Sequence, residues 1–169
     1  IADILPMRLG FYENWLNAAG LREGTIGLAP LYAVLSFLRQ EGAAYTGVAN
    51  RAGEYAAEWT VAGMRPMPRA LTAALPAFLR RRLVLRQARA LVSRSYEGTR
   101  TRVRFVGGAA HVELRASVFC AVREPAGHPL CGFYAAAFGK MLAMFNLDAD
   151  VRIESCLGAG ASSCRLIVH

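Results

Sequence analysis

Val151-Arg152-Ile153-Glu154-Ser155-Cys156-Leu157-Gly158-Ala159-Gly160-Ala161-Ser162-Ser163-Cys164-Arg165-Leu166-Ile167-Val168-His169 closes the chain. Apolar and polar residues alternate over Val151–Cys156, Cys164–His169 is a short, largely apolar run, and small residues over Gly158–Ser163 separate the two. The pattern predicts two strands joined by a turn, an antiparallel hairpin. Alternation puts Glu154 and Cys156 on one strand face, and the turn returns Cys164 beside them. Cys131, at the start of an Ala-, Phe- and Met-rich run reaching about Phe145, adds a further thiol.

Thiolates and a carboxylate suit a zinc ion, which accepts mixed tetrahedral ligands without redox chemistry. Cys131, Glu154, Cys156 and Cys164 would complete such a site, with Arg152 or Arg165 offsetting some of its negative charge. A complete ligand set is structural rather than catalytic, because catalytic zinc keeps one position open. Cys120 offers an alternative, a four-thiolate site without Glu154. Ordinary buried thiols are the second reading, ahead of the four-thiolate set.

Working outward, the two-residue period also governs residues 100–118. Arg100, Arg102 and Arg104 alternate with Thr101, Val103 and Phe105; Gly107-Gly108 turns the chain; and His111, Glu113, Arg115 and Ser117 alternate with Val112, Leu114, Ala116 and Val118. This is a second hairpin with one buried face. Upstream the period is helical. An apolar stripe with Phe11, Tyr12, Trp15 and Leu16 runs from Leu9 to Leu21, and Pro30 opens a helix to about Gln40. Another helix spans Ala43–Trp59, its stripe read as Ala44, Val48, Ala52, Tyr55 and Trp59. A break at Met64–Pro68 precedes helix from Arg69 to Val92, interrupted near Pro76. The order helices, hairpin, helix, hairpin predicts an α+β domain, an antiparallel sheet covered by helices. At 169 residues a single domain over 1–169 is expected, with a helical region over 1–92 and a strand-helix-hairpin region over 100–169.

Hydrophobic residues at 54% and charged residues at 19% exclude a disordered chain. No run of 18 apolar residues offers a membrane span. The chain starts at Ile1 and shows no signal peptide. Its four cysteines lack the density of a disulfide-stapled secreted domain, so a cytoplasmic location is expected. The net charge of +8 rests on arginine, with Lys140 the only lysine. No basic-aromatic nucleic-acid module accompanies it; a solvated face is the first reading, an anionic ligand or partner or a membrane surface comes next, and nucleic acid last.

Cys131-Gly132-Phe133-Tyr134, Val151–Cys156, Gly160 and Cys164 resemble the 4-vinyl reductase domain family over roughly residues 117–169. That family includes a bacteriochlorophyll-biosynthesis protein and the sensory domains of phenol- and xylene-responsive activators, and shares its fold with small TRAPP vesicle-tethering subunits. The resemblance implies structural zinc on Cys131, Glu154, Cys156 and Cys164, although the step from Glu154 to Cys156 is one residue shorter than in the sensors. It also implies a homodimer. Trp15, Tyr45, Trp59, Phe105, Phe119, Phe133, Tyr134 and Phe138 are candidates to line a pocket for a flat apolar ligand, with Arg51, Arg102 and Arg104 as candidate rim groups.

No dinucleotide fingerprint, Cys-x-x-Cys pair or iron–sulfur spacing supports a reductase. The expected role is therefore non-enzymatic. The chain would bind or deliver a tetrapyrrole intermediate, a porphyrinoid linked to 8-vinyl reduction, beside a biosynthetic enzyme partner. The alternatives are an aromatic-effector sensor domain and a structural interaction module.

Overall fold

A computed structural model describes residues 28–94 and 98–169. Expectations that fall on Phe11, Tyr12 and Trp15 lie outside these residues. The described residues fall into two compact units that divide between Tyr45 and Thr46. In the first, α1 spans Leu28–Gln40. Gly42, at φ +55°, turns the chain into α2, Ala43–Ala62, and Leu35 and Tyr45 are buried.

The second unit holds the rest of α2, then α3 (Pro66–Ala74), α4 (Ala77–Arg94), β1 (Arg100–Val106), β2 (Ala109–Arg115), α5 (Gly132–Ala143), β3 (Val151–Ser155) and β4 (Cys164–Val168). Short 3-10 turns at Val118–Cys120 and Leu157–Ala159 complete it. All strand pairs are antiparallel, in the order β1-β2-β4-β3. Both predicted hairpins are therefore present, and their second strands pair to make one four-stranded sheet. Helices cover it in part, as the α+β reading expects.

Alternation sorts the sheet into two faces. Val112, Leu114, Cys164, Leu166 and Val168 are buried. Val84, Leu85, Ala88 and Val92 of α4 and Phe133, Tyr134, Ala137, Phe138, Met141 and Leu142 of α5 supply the helical side of the core. Arg100, Arg102, Arg104, Arg115 and Arg165 project from the other face and are exposed.

Two helical expectations are corrected. Helix resumes at Pro66, not Arg69, because the prolines at 66 and 68 fall in the first turn, where no backbone N–H is needed. On α2 the buried stripe is Tyr45, Ala49, Gly53, Ala57 and Val61, while Val48, Tyr55 and Trp59 are exposed. Close approach of helices selects small residues over large ones: a Cβ on Gly53 would collide with the Phe133 carbonyl oxygen of α5. Gly53 looks like a helix weakness in sequence and is a packing contact in the structure. Gly53→Ala is expected to destabilise the fold by about 2 kcal/mol or more, since backbone must move to admit the methyl group. Urea denaturation followed by circular dichroism checks this.

Candidate metal centre

Four chain segments converge under the end of the sheet, each delivering one cysteine. After β2 the backbone turns left-handed at Ala116, φ +56°, a conformation that costs a non-glycine residue energy. The following 3-10 turn buries Ser117, Val118 and Cys120. Cys131 is the residue before α5, its carbonyl accepting from the Tyr134 N–H at 3.1 Å. Cys156 leads into the turn Leu157–Ala159, where its carbonyl accepts from Ala159 and Ala161. Cys164 opens β4 opposite Leu114. Gly158 permits this convergence, because a Cβ there would lie 2.8 Å from Leu130 Cδ1 and 3.3 Å from Cys120 Cα.

The four sulfurs lie within 4.8 Å of one another, and all four residues are buried. Cys120 Sγ is 3.4 Å from Cys164 Sγ and 3.6 Å from Cys156 Sγ. A disulfide needs about 2.05 Å, and all four cysteines are free. Tetrahedral metal–sulfur bonds of about 2.3 Å put sulfurs about 3.8 Å apart, close to the spacing here. The cluster is geometrically suited to hold a metal ion.

Electrostatics points the same way. The Leu130 N–H donates to Cys156 Sγ at 3.2 Å and the Leu157 N–H to Cys164 Sγ at 3.3 Å. Hydrogen bonds to the charged form favour it. Cys156 is held far below the ordinary thiol range by the Cys120 thiol, then Cys131 and Cys164, with the Leu130 N–H adding to them. Cys120 is also lowered, chiefly by Cys131. Cys131 and Cys164 are pushed up, each chiefly through Cys120. The shifts divide the cluster into two thiols favoured as thiolates, Cys120 and Cys156, and two disfavoured, Cys131 and Cys164. Binding a central dication would release the protons that the thiols still hold.

Of the sequence-expected ligands, Cys131, Cys156 and Cys164 are brought together and Glu154 is not. Glu154 is exposed, its Oε2 3.9 Å from Arg165 Nη1. Cys120 occupies the fourth place. The cause is a register shift between Ile153 and Ser155, which breaks the two-residue alternation assumed for Glu154 and Cys156. Arg152 pairs with Asp150 and Arg165 faces Glu154, so neither expected counter-charge is turned to the sulfurs.

Three of the aromatic candidates meet beside the thiols. Phe119 stacks on Phe133 with centroids 4.5 Å apart, and Tyr134 stands edge-on to both at 5.4 Å. Phe119 is adjacent in sequence to Cys120, and Phe133 and Tyr134 follow Cys131 within a turn of helix. Phe138 is buried one turn further along α5. Tyr45 is buried in the first unit. Trp59, 74% exposed, stacks on Tyr55, and Phe105, 44% exposed, lies under Arg82. Neither joins the aromatic group.

A polar feature escaped the sequence reading. The Tyr134 and Ser117 hydroxyls are buried near each other, and neither closes a well-formed hydrogen bond among the described residues. Burial pushes the Tyr134 phenol up, opposed by the neighbouring Ser117 and Thr99 hydroxyls. Ser117 alternates regularly with its strand neighbours in sequence, and only the left-handed turn at Ala116 reveals that it is drawn inward.

No protein-family model matches the chain, and no curated protein matches it. Among solved structures it is similar to the phenol-responsive sensory domain of the transcription activator PoxR, crystallised with phenol. The TM-score is 0.54 at 15% identity, over 84% of this chain and 73% of that one. The two share a fold.

Cys120→Ser is expected to weaken metal binding at least about tenfold, because a thiolate ligand is lost. Glu154→Gln should leave metal content unchanged. Elemental analysis of the purified variants, with chelator competition, separates the two ligand sets.

Proposed function

We propose that this chain is an aromatic-effector-binding sensory domain built around a structural zinc ion. The observation that carries the reading is the joining of the Phe119–Phe133–Tyr134 group to Cys120 and Cys131. The fold shared with a phenol-responsive sensory domain supports it.

Cys120, Cys131, Cys156 and Cys164 would hold the ion. Four soft thiolates in a tetrahedral arrangement favour zinc over hard cations, and a closed set leaves no position for substrate. When bound, zinc supplies a fixed crosslink among four chain segments. The Leu130 and Leu157 N–H groups orient and stabilise two of the sulfurs. Four reduced thiols fit a reducing compartment, and we place the domain in the cytoplasm.

A single-ring effector suits the aromatic group, whose stacked and edge-on contacts a planar guest can imitate. Its hydroxyl would satisfy the orphaned Tyr134 and Ser117 hydroxyls. Entry requires the Val118–Cys120 turn or the start of α5 to shift, because Tyr134 is fully buried. Both segments carry a thiol of the cluster, so binding would be felt at the crosslink.

A tetrapyrrole carrier of the 4-vinyl reductase kind is less well supported. Its carboxylates call for arginine at the aromatic rim. Arg51 is paired with Glu54 and stacked on Tyr55, and Arg102 and Arg104 stand on the sheet face opposite Cys164.

Native mass spectrometry of metal-retaining protein tests the proposal, with phenol and a porphyrinoid as probes. One zinc and one phenol per chain are expected. Tyr134→Phe should keep the zinc and weaken phenol about five- to tenfold, the worth of one hydrogen bond. Nonspecific phenol adducts alone would refute the sensor reading, and a stoichiometric porphyrinoid complex would favour the carrier.

A further inference from the structure

The open face of the sheet carries an arginine-lined concavity, on the side away from the metal centre. Arg102 and Arg104 on β1, His111 and Glu113 on β2 and Arg165 on β4 line a surface depression of about 340 Å³, with Val106 and Val112 in its walls. Arg100 and Arg115 border an adjoining hollow of about 190 Å³ that shares Arg102 and Glu113.

The charges here are not balanced. Among the described residues Glu113 is the one carboxylate lining either hollow, and Arg115 holds it through two hydrogen bonds, at 2.8 and 3.0 Å. Arg115, with Arg102 and Arg104 further off, keeps the Glu113 carboxyl below its ordinary range. Arg165 has only the distant Glu154 contact at 3.9 Å. Arg102 and Arg104 make no ion pair or hydrogen bond among the described residues. Arg100 is paired directly across from Arg115. Like charges directly opposite on a sheet are destabilising. A face that keeps such a pair, gathers further arginines beside it and adds a concavity has the form of a site completed by an anion.

The strands fix the geometry. Arg102 and Arg104 are two residues apart on one strand, about 6.8 Å. Arg165 lies across Glu113 from Arg102, two strand spacings away, or about 9.6 Å. Guanidinium groups on this grid can fork onto several oxyanions at once. The hollow has the size of a small-molecule site. We propose that this face binds a small organic molecule bearing two or more phosphate or carboxylate groups.

Isothermal titration of the whole chain with pyrophosphate and, separately, citrate tests this. Saturable binding of at least one is expected, and the tighter of the two assigns phosphate or carboxylate chemistry. The variant R102A/R104A should weaken it at least about tenfold, the loss expected for removing charged hydrogen-bond donors. R69A, which removes an exposed arginine of α3, should not. Arg102 and Arg104 are exposed, so thermal melts should show the double variant folded; if it is not, R165A serves in its place. Absence of saturable binding by both anions, or equal binding by wild type and variant, would overturn the proposal. So would binding of a single-stranded oligonucleotide that tightens with length while the small anions bind only nonspecifically. That result would make the face a nucleic-acid surface.

Discussion

Four buried sulfurs lie within 4.8 Å of one another, at contact distance. That constraint organises the C-terminal half of the molecule. Cys120, Cys131, Cys156 and Cys164 arrive from a turn, the start of a helix, the end of a strand and the start of another. None is bridged to another. Thiolates packed this closely repel one another unless protons or a cation intervene, and backbone N–H groups already point at two of the sulfurs. The local backbone is bent to serve the convergence: left-handed at Ala116 and Gly160, and free of side chain at Gly158. The aromatic group grows from the same segments, so the order of its rings follows from the order of the thiols.

The two faces of the sheet divide the chemistry. One buries the cysteines and the apolar core against α4 and α5. The other displays arginines on a fixed grid. The two-residue period of β1, β2 and β4 produces both at once, which is why an arginine-rich chain can also carry a dense core.

Much of this was legible in the sequence. Alternation marks β1, β2 and β3, a short apolar run marks β4, and Gly107-Gly108 and the small residues of Gly158–Ser163 mark the turns of the two hairpins. The cysteine spacing at 131, 156 and 164 led to the centre. The fourth position was not decidable, because it depends on a register shift at Ile153–Ser155 and a left-handed residue at Ala116. Neither leaves a compositional mark: Ala116 is not a glycine, and Glu154 obeys strand alternation until the shift. The apolar stripe of α2 misled for a related reason. Large residues suggest a buried face, but close contact with α5 at Phe133 favours alanine and glycine, so Tyr55 and Trp59 face outward. The aromatic candidates divide likewise: those within three residues of a cysteine in sequence, Phe119, Phe133 and Tyr134, come together, while Trp59 and Phe105 do not.

X-ray absorption at the zinc edge of the metal-loaded protein probes the central claim most directly, because it counts the atoms around the ion. Four sulfurs at about 2.3 Å and no lighter neighbour are expected. A first shell of three sulfurs and one oxygen would contradict the four-thiolate centre and return Glu154 to the site.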